Sequence, residues 1–237
     1  MVRKKRPPST KSLFRAVKPK AAKGPGMFGD WPDQVKPEAR DPLDYDPTPP
    51  DATQSFLMAE IDHIRAHGNL ICEPAVGNGH MARVFRDWGF QVRAGDVEDR
   101  GYDEPFCLGS YYDTDQAPAP IMITNPPYGE VSARDGHGRW LRHAFDLGHD
   151  YIGMLLNADW CAARINGFDE IFRDHPPSIE YLCCWKIDFR GKGSPPQRNS
   201  FFVWDKNRPP IGPNTWARCR LYRERDFQGE QTQGVLL

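Results

Sequence analysis

The stretch from Asn69 to Phe85 constrains the fold more than any other part of the chain. A short apolar run, Asn69 to Cys72, stops at Glu73 and passes into Pro74, Ala75, Val76, Gly77, Asn78 and Gly79. Beyond it Met81, Val84 and Phe85 fall at helical spacing until Gly89, so the order is strand, glycine loop, helix. Gln91 to Asp96 reads as a second strand ending in an acid, and Pro120 to Thr124 as a short buried strand ending at Asn125. Further strands are expected at Tyr151 to Leu156, near Ile179 to Trp185 and at Phe201 to Trp204, with helices around Trp140 to Leu147 and Phe168 to Arg173. Bare apolar runs between helices belong to a parallel sheet covered on both faces. Asp51 to His67, with Phe56, Leu57, Ala59, Ile61 and Ile64, suits an amphipathic helix. The expected fold class is therefore α/β, with a doubly wound, mostly parallel sheet.

At 237 residues the chain suits one α/β domain, expected over 41–206 and followed by a 207–237 extension without a clear period. Residues 1–40, rich in Lys, Pro and Gly with few aliphatics, cannot bury enough surface to offset their ordering entropy and are expected to form a disordered arm. Of the 31 basic residues nine precede the first acid, Asp30, so the remainder carries 22 against 32 acidic ones. A basic arm on an acidic body fits attraction to a polyanion; a solubilising tail is the other reading. No apolar run approaches the roughly 20 residues that cross a bilayer, and Met1 to Lys23 lacks the apolar stretch of a secretory signal. A cytoplasmic protein that does not enter a membrane is expected. The six cysteines form no CxxC pair and are expected to be reduced core residues, Cys183 and Cys184 included, with no structural metal.

Glycines between a strand and a helix let a ligand approach the backbone closely. By spacing, Gly77, Gly79 and Ala82 also satisfy a dinucleotide fingerprint, in which Asp96 would hold a ribose. The same geometry serves S-adenosylmethionine (AdoMet), whose ribose also calls for an acid at the end of the second strand. This region does not decide between the two, nor against a purely structural loop.

Asn125, Pro126, Pro127, Tyr128 and Gly129 close a buried strand with rigid prolines. Ligands of open α/β sheets collect at the carboxyl ends of the strands, so Asn125 and the glycine loop are expected on one rim. An exocyclic amino nitrogen is deactivated because its lone pair is delocalised into the base. Accepting hydrogen bonds from its two N–H groups, at the Asn125 amide oxygen and the Pro126 carbonyl, helps it toward tetrahedral geometry. Tyr128 offers a flat platform for a flipped base, and stacking of that kind is worth about 1–3 kcal/mol.

Taken together, EPAVGNG and NPPYG resemble the cofactor and catalytic motifs of amino-group DNA methyltransferases, and the NPPY tetrapeptide resembles those acting on adenine N6. Tyr45, Asp46, Pro47, Thr48, Pro49 and Pro50 resemble the TP segment placed before them in the gamma motif order, and the match, spanning roughly Tyr45 to Asp205, looks like that of compact phage-type enzymes. The resemblance implies a Rossmann-like AdoMet-dependent fold with a C-terminal antiparallel hairpin formed by IDFRGKGSPPQRNSFFVWDK. It implies AdoMet as cofactor, contacted by Thr48, Pro49, Glu73, Pro74, Ala75, Gly77, Gly79 and Asp96. Catalysis would fall to Asn125, Pro126, Pro127 and Tyr128 without a metal, on a flipped adenine in double-stranded DNA, with Phe189 as a further wall of the base pocket. The chain departs from the pattern where an acid and an aromatic should bind the cofactor's adenine: Gly109, Ser110, Tyr111 and Tyr112 stand there, leaving Ser110 or Asp113 for the task. Arg134, Arg139, Lys192 and Arg198 are candidate phosphate contacts. RNA adenine or a protein glutamine amide is the alternative substrate, and an NAD-dependent oxidoreductase or a non-catalytic DNA-binding protein the alternative class.

Overall fold

The computed structural model describes residues 45–193, 195 and 197–228; the basic arm expected over 1–40 lies outside them. Eight strands form one sheet in the order β3-β2-β1-β4-β5-β7-β6-β8. They are β1 (Leu70–Glu73), β2 (Gln91–Asp96), β3 (Phe106–Leu108), β4 (Ile121–Thr124), β5 (Tyr151–Asn157), β6 (Ile179–Cys183), β7 (Asn199–Asp205) and β8 (Ala217–Leu221). The pairings β1–β2, β1–β4, β2–β3, β4–β5 and β6–β8 are parallel; β7 alone runs antiparallel, to both β5 and β6. The expected doubly wound, mostly parallel sheet is thus present. Its antiparallel hairpin is not appended at an edge: β7 returns from β6 and inserts beside β5, in register from Tyr151↔Asp205 to Asn157↔Asn199.

The helices are α1 (Pro50–Arg65), α2 (His80–Asp87), α3 (Tyr128–Val131), α4 (Arg139–Leu147), α5 (Phe168–Asp174) and α6 (Glu224–Gln228). Side chains alternate across a strand, so each central strand supplies two cores. Ile121, Ile123, Tyr151, Leu155, Phe201 and Val203 join the cluster under α1 and α2. Met122, Ile152, Met154, Leu156, Phe202 and Trp204 join the cluster under α4 and α5. Pro50 opens α1, where its missing N–H costs nothing, and Phe56 from this helix stacks on Phe201 with ring centroids 4.2 Å apart. Gly153 leaves room for that contact, since a Cβ there would lie 3.3 Å from the Phe56 ring.

Buried carboxylates tie the outer strands to this frame. Glu60 of α1, fully buried, accepts hydrogen bonds from Tyr151 Oη (2.9 Å), from Tyr181 Oη and from both terminal nitrogens of Arg208 (2.9 and 2.6 Å). Glu180 of β6, equally buried, receives Ser200, Trp216 and both Nε and Nη2 of Arg218. This clamp explains how the stretch past Asn207, aperiodic in sequence, contributes β8 and carries the sheet beyond the expected boundary at 206. The cysteines need one correction. Cys72 and Cys183 are buried, but Cys107 and Cys219 sit exposed on edge strands and Cys184 lies just past the end of β6. Among the described residues no helix is long and apolar enough to cross a membrane.

Removing one partner of a buried, hydrogen-bonded ion pair typically costs about 3–5 kcal/mol, because the other charge is left unmatched. Glu60→Ala is expected to lose about that much stability in urea unfolding, with Glu60→Gln intermediate.

Candidate active site

The carboxyl ends of β1, β2, β3 and β4 share one rim, and the strand order reverses between β1 and β4, where crevices of open α/β sheets form. A cavity of about 300 Å³ opens there, lined by Glu73 to Asn78, Asp96, Ser110 and Asn125 together with Asp46 to Thr48. Of the sequence-predicted residues, Thr48, Glu73, Pro74, Ala75, Gly77, Asp96, Ser110, Asn125 and Pro127 line it; Pro49, Gly79, Pro126 and Tyr128 do not. Asp113 is exposed and away from the lining, which leaves Ser110 as the candidate at that position. The Ser110 hydroxyl accepts a hydrogen bond from Tyr112 N–H at 3.2 Å and so caps the turn Tyr111–Asp113.

The two glycines of the loop do different work. Gly77 adopts φ +57°, and a Cβ there would lie 2.5 Å from the Tyr45 ring, so the position suits only glycine. Its N–H donates to Asp96 Oδ2 at 2.7 Å, while Asp96 Oδ1 accepts from Glu98 N–H at 3.0 Å. Gly79, at φ +87°, starts α2 with its Cα pressed on the Tyr102 ring. It shapes the loop without touching the cavity.

Asn125 is held with a defined sense. Its Nδ2 donates to the backbone carbonyl of Asp46 at 3.0 Å, and its Oδ1 is buried without a partner. The Asp46 carboxylate in turn accepts from Arg190 Nε at 2.8 Å. Tyr128 opens α3 with its ring against the second core cluster, and its hydroxyl accepts from Asn199 Nδ2 at 2.8 Å. Phe189 is half-buried against the first cluster and outside the cavity lining. Arg139 is bound through two nitrogens to Glu130, Nη2–Oε1 at 2.6 Å, at the cavity margin. That guanidinium holds the Glu130 carboxyl below the usual carboxylate range. Arg134 is exposed.

His80, Val97 and Trp140 line the cavity without having been expected there, and Tyr45 and Tyr111, expected only as neighbours of the TP segment and of Ser110, join them. Val97 follows the predicted acid directly, and His80 follows the last glycine; both were within reach of the motif. Trp140 comes from α4, and no local pattern announces it. Four buried polar atoms on lining residues lack partners: Glu73 Oε2, His80 Nδ1, Asn125 Oδ1 and Trp140 Nε1. Buried polar groups are ordinarily satisfied, so their convergence on one cavity marks a place shaped for a polar ligand. Asn78 Nδ2 lies 3.3 Å from His80 Nε2.

Burial pushes the Glu73 carboxyl well above the ordinary carboxylate range; the nearby Asp96 charge adds to this, and Arg86 opposes it. The folded chain therefore holds this proton to a higher pH than the unfolded chain does. Above the unfolded value of about 4.3, the native state binds more protons and stability falls as pH rises. Glu73→Gln removes this term. The melting temperature of the variant relative to wild type is expected to climb as pH rises above the unfolded value of about 4.3, as read by scanning fluorimetry; parallel pH profiles would contradict the assignment.

No protein-family model matches the chain, and no curated protein matches its sequence. Solved structures do share its fold. A protein from Pyrococcus horikoshii assigned as an RNA methyltransferase superposes with a TM-score of 0.55 at 17% identity, over 84% of this chain and 99% of its own. A protein from Listeria monocytogenes assigned as a class I S-adenosylmethionine-dependent methyltransferase gives 0.50 at 13% identity, over 76% and 67%. The likeness shows that this chain has the Rossmann-like methyltransferase fold.

Proposed function

We propose that the chain transfers a methyl group from AdoMet to the exocyclic N6 of adenine in DNA. The observation that carries the reading is Asn125: its amide is anchored at Nδ2 and presents an unpartnered acceptor to the same cavity that the glycine loop lines. An acceptor alone in a buried site suits an N–H donor, which an adenine amino group provides.

The lining fits the cofactor. Glu73 and His80 offer a carboxyl and an unpartnered ring nitrogen to the amino-acid end, Asp96 stands at the strand end where a ribose is held, and Val97, Tyr111 and Trp140 supply apolar surface for a purine. When bound, AdoMet supplies an electrophilic methyl group. The protein's own work is to place and polarise the acceptor nitrogen. Asn125 Oδ1 accepts one of its N–H bonds and directs its lone pair. The prolines at 126 and 127 fix the backbone that follows this acceptor. Tyr128, steadied through its hydroxyl by Asn199, offers a ring face to a base rotated out of the helix. Orientation of this kind accounts for large accelerations without a covalent intermediate.

The P. horikoshii neighbour keeps RNA in view as a second substrate, since a planar amino nitrogen is presented by either nucleic acid. Digestion of DNA incubated with the chain and AdoMet is expected to yield N6-methyladenine; labelled RNA or protein with no DNA product rejects the reading. Asn125→Ala is expected to lower kcat by at least about 10²-fold while AdoMet affinity, measured by calorimetry, stays within a few fold.

A further inference from the structure

Among the described residues most arginines pair with a carboxylate. Arg83 pairs with Asp103, Arg164 with Asp169 and Arg225 with Asp51. Around Cys184 two unpaired arginines come together. Arg198 Nη1 donates to the Cys184 carbonyl at 3.2 Å, and Arg220 Nε lies 3.3 Å from the Cys184 sulfur. Two guanidinium groups thus converge on one residue, and Lys186 stands exposed two positions further on. Among the described residues no carboxylate pairs with any of the three. The neighbouring acid Glu180 is consumed by Arg218, and Asp226 by Arg223.

Like charges gathered without counter-charges repel one another, and the arrangement becomes favourable when an anion enters. The anchoring is structural: Cys184 N–H donates to the Leu221 carbonyl at 2.9 Å, which locks the end of β6 to the end of β8 and fixes the residue that both arginines contact. The cluster lies on the same rim as Asn125, because β6 and β8 end, and β7 begins, on the side where β4 ends. From β4 the sheet order runs through β5 and β7 to β6 and β8. Three to four strand spacings of about 4.8 Å amount to roughly 14–19 Å. At about 3.4 Å of rise per nucleotide pair this is roughly half a turn of duplex.

We infer that Lys186, Arg198 and Arg220 form a seat for the DNA backbone, taking phosphates about half a turn from the nucleotide whose base enters the catalytic cavity. The seat rests on the reading of the chain as a DNA methyltransferase and adds to it where the duplex lies: along the β5 to β8 half of the rim, away from the β3 edge. Phosphate contacts of this kind fix register and orientation without reading sequence.

Binding of the full chain to a short labelled duplex across a salt series tests this. Each lost phosphate contact makes the slope of log K against log salt less negative by about 0.9, so Arg198→Ala with Arg220→Ala is expected to reduce the slope by about 2. AdoMet binding and melting temperature should stay at the wild-type values. The doubly charge-conserving pair, Arg198→Lys with Arg220→Lys, is expected to restore the slope. An alanine pair with the wild-type slope overturns the seat even where the wild type makes N6-methyladenine in DNA, and in that case the proposed function stands. A seat-dependent slope in a chain that methylates no DNA supports the seat and rejects the methylation reading. Tighter binding of an RNA duplex through the same arginines overturns the assignment to DNA.

Discussion

One hydrogen bond orders the candidate site of this molecule, from Asn125 Nδ2 to the carbonyl of Asp46 at 3.0 Å. A carboxamide presents a donor and an acceptor of nearly equal shape, and only a fixed partner decides which faces a ligand. Here the donor is spent on the strap that precedes α1, so the acceptor is left to the cavity. The same strap reaches the other motif through Tyr45, whose ring covers Gly77, and the Arg190 side chain holds it from a third direction. Glycine loop, strap and the end of β4 are therefore one mechanical unit, although 79 residues separate Asp46 from Asn125.

The sheet order makes that unit possible. Reversal between β1 and β4 opens the crevice, and the antiparallel return of β7 beside β5 brings its first residue, Asn199, back to the active rim. Asn199 is wholly buried and donates to the Tyr128 hydroxyl. A strand running the other way would leave this asparagine at the far edge of the sheet. The polar price of such a site is visible in the unpartnered atoms of Glu73, His80, Asn125 and Trp140, which a ligand of matching polarity would satisfy.

The central strands were legible because fully buried strands leave bare apolar runs, and Gln91–Asp96 matches the observed β2 residue for residue. What escaped was held by long-range pairing. β3 is three residues long, with Cys107 and Leu108 exposed, and β8 reads Ala-Arg-Cys-Arg-Leu, a pattern that becomes a strand only because Glu180 and Leu221 fasten it to β6. The candidate site was readable where motif and cavity coincide, as at Glu73, Asp96 and Asn125. It was unreadable where a distant element lends a side chain, as with Trp140. Gly79 shows the opposite difficulty: motif spacing marks it as a ligand contact, whereas the structure gives it a left-handed backbone and the Tyr102 ring where a Cβ would stand.

The measurement that bears most directly on the shared cavity is a structure of the chain with a non-reactive AdoMet analogue and a duplex containing a target adenine. The expected result places the analogue over residues 73–79 and the adenine amino group within hydrogen-bonding distance of Asn125 Oδ1, with Asn125 Nδ2 still on the Asp46 carbonyl. An analogue seated elsewhere, or an amide turned so that its nitrogen faces the base, would contradict it.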